Sequence, residues 1–182
     1  NAMDGAKLHL GEVSVTSVTV LFKKIKFQTH ENIGSGELKL PELEMHTEAF
    51  WYSFPGDIPF KLGISGADFG GALRGLANIL GQMAPLWVMC DSRDLRAISQ
   101  VRAPFTELPT LYIYENIPGG VGLARKIYSE ADRLFETTIN HIRKCACVSG
   151  CPVCVGPELE IGEKGKSGAI KLLEYMLAVG AV

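Results

Sequence analysis

No stretch of the 182-residue chain approaches the ~18 consecutive apolar residues that a membrane-crossing helix needs. A charged-then-apolar leader is missing from its start, so the cytoplasm is the expected compartment, where disulfides are disfavoured. A basic surplus is missing too. The 18 Lys and Arg residues face 20 Asp and Glu, for a net charge of −2. A self-sufficient DNA-binding domain usually carries excess positive charge, so any nucleic-acid contact falls to a local patch or to a larger parent protein. Internal repeats and low-complexity tracts are absent. Cysteine is scarce outside one place: Cys90 stands alone, at the end of the apolar run Pro85-Leu86-Trp87-Val88-Met89, and reads as a small buried hydrophobe.

What remains is an ordinary globular composition, 47% hydrophobic and 21% charged, long enough for one domain with its own core. Residues 1–3, Asn1-Ala2-Met3, read as a tag scar or an engineered start. Residues 4–60 read as β-rich. Val13, Val15, Val18, Val20 and Phe22 alternate with polar residues, Asn32-Ile33-Gly34-Ser35-Gly36 gives a turn signal, and a second strand is expected between Glu37 and Phe50. Pro41 places that second strand at an edge or breaks it in two. Residues 61–182 read as helices packed on short buried strands. The spacing predicts helices over 67–82, 121–144 and 168–178, and buried strands over 86–90 and 111–114. Glycines at 70, 71, 75 and 81 weaken the first of these helices unless they permit close packing. The expected fold class is mixed α/β (α+β), with a small antiparallel N-terminal sheet.

The densest chemical signal is Cys145-Ala146-Cys147-Val148-Ser149-Gly150-Cys151-Pro152-Val153-Cys154. The Cys-Pro-Val-Cys half has knuckle spacing, because two intervening residues let the chain turn so that both sulfurs face one centre. Cys145 and Cys147 complete a four-thiolate shell. Such a shell leaves no open position for water, so it reads as a structural zinc site rather than a catalytic one. An iron–sulfur cluster takes the same ligand number, but the spacing fits neither common ferredoxin run. Two disulfides, or four free thiols, stand as further alternatives, and His141, one helical turn before Cys145, is a substitute ligand.

Other constellations are weaker. Pro118-Gly119-Gly120-Val121-Gly122 sits where a phosphate-cradling loop would, but lacks the Gly-Lys-Ser/Thr of a Walker loop and the third glycine of a dinucleotide fingerprint. A tight strand-to-helix turn is the expectation. Asp91, Asp94 and Glu115 invite a magnesium nuclease reading, against which capping and loop hydrogen bonds are the plainer use. Lys23, Lys24 and Lys26, interleaved with Phe22, Ile25 and Phe27, form a basic-aromatic strip that suits phosphates and bases or, equally, a solvated strand edge. Arg143, Lys144, Lys164 and Lys166 flank the cysteines and join the candidate nucleic-acid contacts.

Taken in order, Ala84-Pro85-Leu86-Trp87-Val88-Met89-Cys90-Asp91 with Asp94-Leu95, Leu108-Pro109-Thr110-Leu111-Tyr112-Ile113-Tyr114, Pro118-Gly119-Gly120-Val121-Gly122-Leu123-Ala124 and the cysteine cluster resemble the C-terminal zinc-binding domain of the MrfA/YprA-like DEAD/DEAH-box helicases. The resemblance covers about residues 67–178. Tyr114-Glu115-Asn116 stands where that family usually has Tyr-Asp-Gly, and residues 156–166 match only loosely. The resemblance implies a non-catalytic zinc domain beside a superfamily 2 motor that binds ATP and translocates on DNA, often in repair. Its partners would be the motor domains, of the same or a partner chain, and DNA. With no Walker A or DEAD/DEAH box in it, the chain is expected not to hydrolyse ATP, and to be either an excised fragment or a free-standing relative. A stand-alone zinc-stapled interaction module and a metal-dependent nuclease remain the other readings.

Overall fold

The computed structural model describes residues 7–180; the Asn1-Ala2-Met3 segment read as a tag scar lies outside the described residues. Six strands and six helices follow in the order β1 (Lys7–Ser17), β2 (Leu21–Ile25), β3 (Asn32–Glu37), β4 (Leu43–Ser53), α1 (Ile58–Lys61), α2 (Gly66–Val88), β5 (Leu95–Gln100), β6 (Thr110–Glu115), α3 (Leu123–Ser129), α4 (Ala131–Lys144), α5 (Glu158–Ile161) and α6 (Gly165–Val179). The mixed α/β class expected from the sequence is the class observed. One antiparallel sheet has the order β1-β4-β6-β5, and β2-β3 is a separate hairpin. The four-stranded sheet takes strands from both sides of residue 60.

Strand alternation sorts the sheet into two faces. Leu10, Phe50, Ile113 and Ala97 line up through the register on the inner face, where Phe50 and Ile113 are fully buried. His9, Trp51 and Tyr112 align on the other face, with the His9 and Trp51 rings stacked at 5.4 Å. Helix α2 covers the inner face with Phe69, Leu73, Leu76, Ile79 and Leu80, and α4 and α6 close the core with Leu134, Phe135, Leu172, Leu173 and Met176. The α2 glycines do permit close packing. An added Cβ at Gly71 would overlap the Ile161 carbonyl oxygen, and one on Gly168 of α6 would overlap the Ala72 methyl.

Several expectations need correction. Residues 86–90 are not a strand: α2 runs on through Pro85 to Val88, and Met89 ends it in the left-handed region at φ 57°. A short apolar run has no period of its own, and here Leu86 and Met89 face solvent while Val88 is buried, as helical geometry requires. Asn32-Ile33-Gly34-Ser35-Gly36 is strand β3 rather than a turn, and the chain reverses at residues 26–31 instead. The run from Val13 to Phe22 splits between β1 and β2. Pro41, which cannot donate to a ladder, falls in the gap between β3 and β4. The helix expected over 121–144 breaks at Glu130 (φ −121°, ψ 20°) into α3 and α4. Strand β5, which carries only Leu95, Ala97 and Ile98 as apolar points, went unread.

Candidate metal centre

Helix α4 delivers the first ligand. It stops at Lys144, and Cys145 leaves it in extended conformation (φ −75°, ψ 125°), so Cys145 and Cys147 reach the same side of the outgoing chain. The second pair comes from a tight turn, in which the amides of Cys154 and Gly156 both donate to the Cys151 carbonyl at 3.0 Å. Gly150 lies at φ 145° against the Gly156 carbonyl, where an added Cβ would sit 2.6 Å from that oxygen. A side chain there is excluded by conformation and by space.

The result is a tetrad of sulfurs. Cys145 lies 3.5 Å from both Cys147 and Cys151, Cys154 lies 3.4 Å from Cys147 and 3.5 Å from Cys151, and all four lie within 4.8 Å of one another. A tetrahedron with Zn–S bonds of ~2.3 Å has edges of ~3.8 Å, so the sulfurs stand close to where zinc would draw them. None of the five cysteines is disulfide-bonded. Without metal the thiols differ. Hydrogen bonds from the Cys154 thiol and then the Val153 amide pull Cys151 down to about 7, while burial pushes Cys154 up to about 12. Zinc requires all four as thiolates, so loading releases protons.

The surrounding shell is ordered. Lys166, 8% exposed, sends its ammonium back from the first turn of α6 to the carbonyls of Cys145 (2.8 Å) and Cys147 (2.5 Å). Two side chains of α2 hold the far edge, Asn78 on the Val155 carbonyl and Gln82 on that of Pro152. His141 is not among the ligands; its Nε2 meets the Val153 carbonyl at 3.0 Å. A buried ammonium needs a counter-charge, and a zinc tetrathiolate, formally doubly negative, supplies one. Ligand number, ligand type, spacing and this lysine all fit zinc. The four-cysteine cluster supports a structural zinc.

The other candidates are scattered. Lys166 leaves the nucleic-acid set, because its charge is turned inward. Arg143 pairs with Glu174 at 2.5 Å and Lys164 with Asp68 at 3.4 Å, while Lys144 is exposed at the end of α4. Lys23, Lys24 and Lys26 lie on the exposed β2-β3 hairpin, far from the cysteines in the chain. Asp91, Asp94 and Glu115 do not form a metal-binding group among the described residues. Asp91 accepts from the Arg93 amide at 2.8 Å and from its guanidinium at 3.1 Å, contacts that pull its carboxyl down to about 2. Glu115 is fully buried, and its two oxygens accept from the amides of Val121 (2.5 Å) and Ala124 (2.9 Å). That carboxylate therefore caps α3 and fixes the Pro-Gly-Gly-Val-Gly loop, with Gly119, Gly120 and Gly122 at positive φ. The loop is the tight turn expected. Cys90 is half-buried, its thiol raised by burial and by the nearby Asp94 carboxylate. Sequence reasoning missed the role of Lys166, whereas the capping and loop hydrogen bonds expected as the plainer use of Glu115 are what the structure shows. Glu115, next to a glycine-rich helix start, carried a readable capping signal; Lys166 carried none.

The class defined by this fold and this tetrad is a zinc-binding domain, and comparison with known proteins makes it particular. The family model of the MrfA Zn-binding domain matches residues 76–155. The protein MJ1572.1 of Methanocaldococcus jannaschii, itself uncharacterized, is 31% identical over 109 residues, and the match covers 95% of it and 56% of this chain. The chain belongs to the MrfA zinc-binding domain family. It is also 38% identical over 174 residues to the uncharacterized ATP-dependent helicase YprA of Bacillus subtilis, a match covering 93% of this chain and 22% of that relative. The crystal structure of the DUF1998 helicase MrfA bound to DNA superposes with a TM-score of 0.74 at 39% identity, again over 93% of this chain and 22% of that one. The chain thus spans about a fifth of the length of those helicases. No described helix is long and apolar enough to cross a membrane.

Proposed function

We propose that the chain is a non-catalytic accessory domain of an ATP-dependent superfamily 2 DNA helicase, acting in DNA repair in the cytoplasm. In this reading the motor core, in the same or a partner chain, binds ATP. The zinc domain packs on that core and guides DNA past it. The observation that carries the reading is a four-sulfur centre set in a fold that matches, over 93% of this chain, 22% of a DNA-bound helicase. Zinc has a mechanical part in it. The metal staples the end of α4 to the following loop, which has few apolar anchors, and Lys166 joins the start of α6 to that loop. A closed thiolate shell offers no site to a reacting water, which supports the non-catalytic reading. The engagement of both Glu115 oxygens by amides counts against the nuclease reading.

A domain exchange tests this. Residues 7–180 replace the matching segment of the B. subtilis relative, and DNA-dependent ATP hydrolysis and unwinding are measured. The chimera is expected to retain both, its Cys147→Ser,Cys151→Ser form to lose unwinding, and the isolated chain to hydrolyse no ATP. A chimera that binds zinc but neither hydrolyses nor unwinds would overturn the reading.

A further inference from the structure

The β2-β3 hairpin is the part of the molecule that the zinc centre and the core leave unexplained. It forms its own two-stranded sheet, and both strands are largely exposed. An isolated hairpin is marginal in water, so an arm of this kind is normally completed by whatever it binds. Its two faces differ. Through the register, Phe22 lies across from Gly36 and Lys24 across from Gly34, while Leu21 lies across from Glu37 and Lys23 across from Ser35. The first face therefore carries an aromatic ring and a lysine opposite a strand with no side chains. The Phe22 ring rests on Gly36, where an added Cβ would come within 2.6 Å of Cε1, and nothing lies within 4 Å of the Cβ position of Gly34. Lys26 follows one residue past the strand, beyond a register irregularity at Lys24/Ile25, and Phe27, 94% exposed, stands at the tip. The Phe22 and Lys24 positions face glycines only, Glu31 lies across from Lys26 with its carbonyl accepting from the Lys26 amide at 2.9 Å, and none of Lys23, Lys24 or Lys26 is ion-paired among the described residues.

From this juxtaposition we infer that the Phe22–Lys24–Lys26 face of the hairpin is a stacking platform for a single nucleic-acid strand. Chemistry selects the occupant. A ring left open on one side stacks a base of any sequence, and unpaired ammonium groups two residues apart follow a phosphate backbone. From residue 22 to residue 26 the strand spans ~13 Å, enough for about two nucleotides. Gly36 gives the Phe22 ring its seat, and Gly34 leaves the space beside Lys24 open. The inference rests on the proposed DNA role and names the surface that fulfils it.

The test is fluorescence anisotropy of a labelled thymidine oligonucleotide titrated with the zinc-loaded chain at several salt concentrations. Phe22→Ala is expected to weaken binding about 5- to 100-fold, the loss of one stacked base. Lys24→Ala,Lys26→Ala is expected to lower the salt slope by about 1.4, two contacts on a single strand. Lys23→Ala removes an equal single charge from the opposite face and is expected to stay within about twofold. All these positions are solvent-facing, and unchanged zinc content and circular dichroism confirm folding. Binding that survives both platform variants would overturn the platform while leaving the DNA role standing. No binding at low salt would overturn both. Intact DNA binding with lost association to the motor domains would assign the hairpin to a protein partner instead, and would equally overturn the inference.

Discussion

The ammonium of Lys166 lies 2.5 Å from the carbonyl oxygen of Cys147, so a residue of the last helix is tied to the backbone between two metal ligands. The same nitrogen holds the Cys145 carbonyl. Removing it leaves two carbonyls without their donor and a tetrathiolate without its nearest cation. Lys166→Met, similar in length and apolar, is expected to weaken zinc binding 10- to 100-fold, the usual scale for losing such an outer contact. Competition with a chromogenic chelator measures this. Lys166→Ala adds a cavity to the same loss and is expected to be worse in thermal unfolding.

Zinc retention should fall with pH. Each ligand must be a thiolate, and burial holds the metal-free Cys154 thiol up to about 12, so the protons of the cluster compete strongly with the metal. Apparent affinity is expected to drop progressively as the solution is acidified below neutral, and to do so more steeply than for a single titrating ligand. Chelator at neutral pH is expected to lower the thermal midpoint and to release the α4–α6 connection first. Amide exchange over residues 145–157 reads that release directly. A midpoint unmoved by chelator would sink the structural role.

Gly71 shows how little room α2 leaves. Its missing side chain admits the Ile161 carbonyl, and the backbone on which that oxygen sits cannot swing aside as a flexible side chain would. Gly71→Ala would gain helix propensity of up to about 1 kcal/mol in an exposed helix. Here it is expected to destabilise by about 1–3 kcal/mol, as overpacking does, seen as a lower urea midpoint. At Gly66, where an added Cβ meets nothing within 4 Å, alanine is expected to be close to neutral.

Tyr52 offers the opposite sign. Its hydroxyl is buried and has no hydrogen-bond partner, and the ring packs against Phe54 at 4.8 Å. Tyr52→Phe keeps the ring and removes the orphaned oxygen, so stability is expected to be unchanged or to rise by up to about 1 kcal/mol. Burial also raises the phenol above its ordinary value of 10.0, so the folded state keeps a proton that the unfolded chain releases. That contribution is complete below pH 10 and is lost as pH climbs above it. Alkaline denaturation of the wild type, flatter in Tyr52→Phe, checks the sign.

How much of this was readable depends on whether a residue's role is local. The four-cysteine cluster was legible because Cys151 and Cys154 announce themselves by spacing alone. Strand β6 and helix α6 were legible because each buries a clear apolar set. The end of α2 was not, because Pro85 to Val88 has the composition of a buried strand, and only its continuity with the preceding turn decides for helix. Strand β5 was invisible because Ala97 and Ser99 are small and its place is set by pairing with β6, a long-range fact. Lys166 was read as a surface charge because nothing in the sequence says that its helix starts beside Cys145.

The tetrad has one further consequence, for the order in which the chain can organise itself. Its four sulfurs come from ten consecutive residues, so little loop-closure entropy opposes gathering them. The sheet is different: Ala49 finds Tyr114 only after the whole of α2 and β5 has been bridged. A metal ion can thus capture its loop while the strands are still searching. The slow, rate-setting event in forming this domain is expected to be the meeting of β4 with β6, with the metal already in hand.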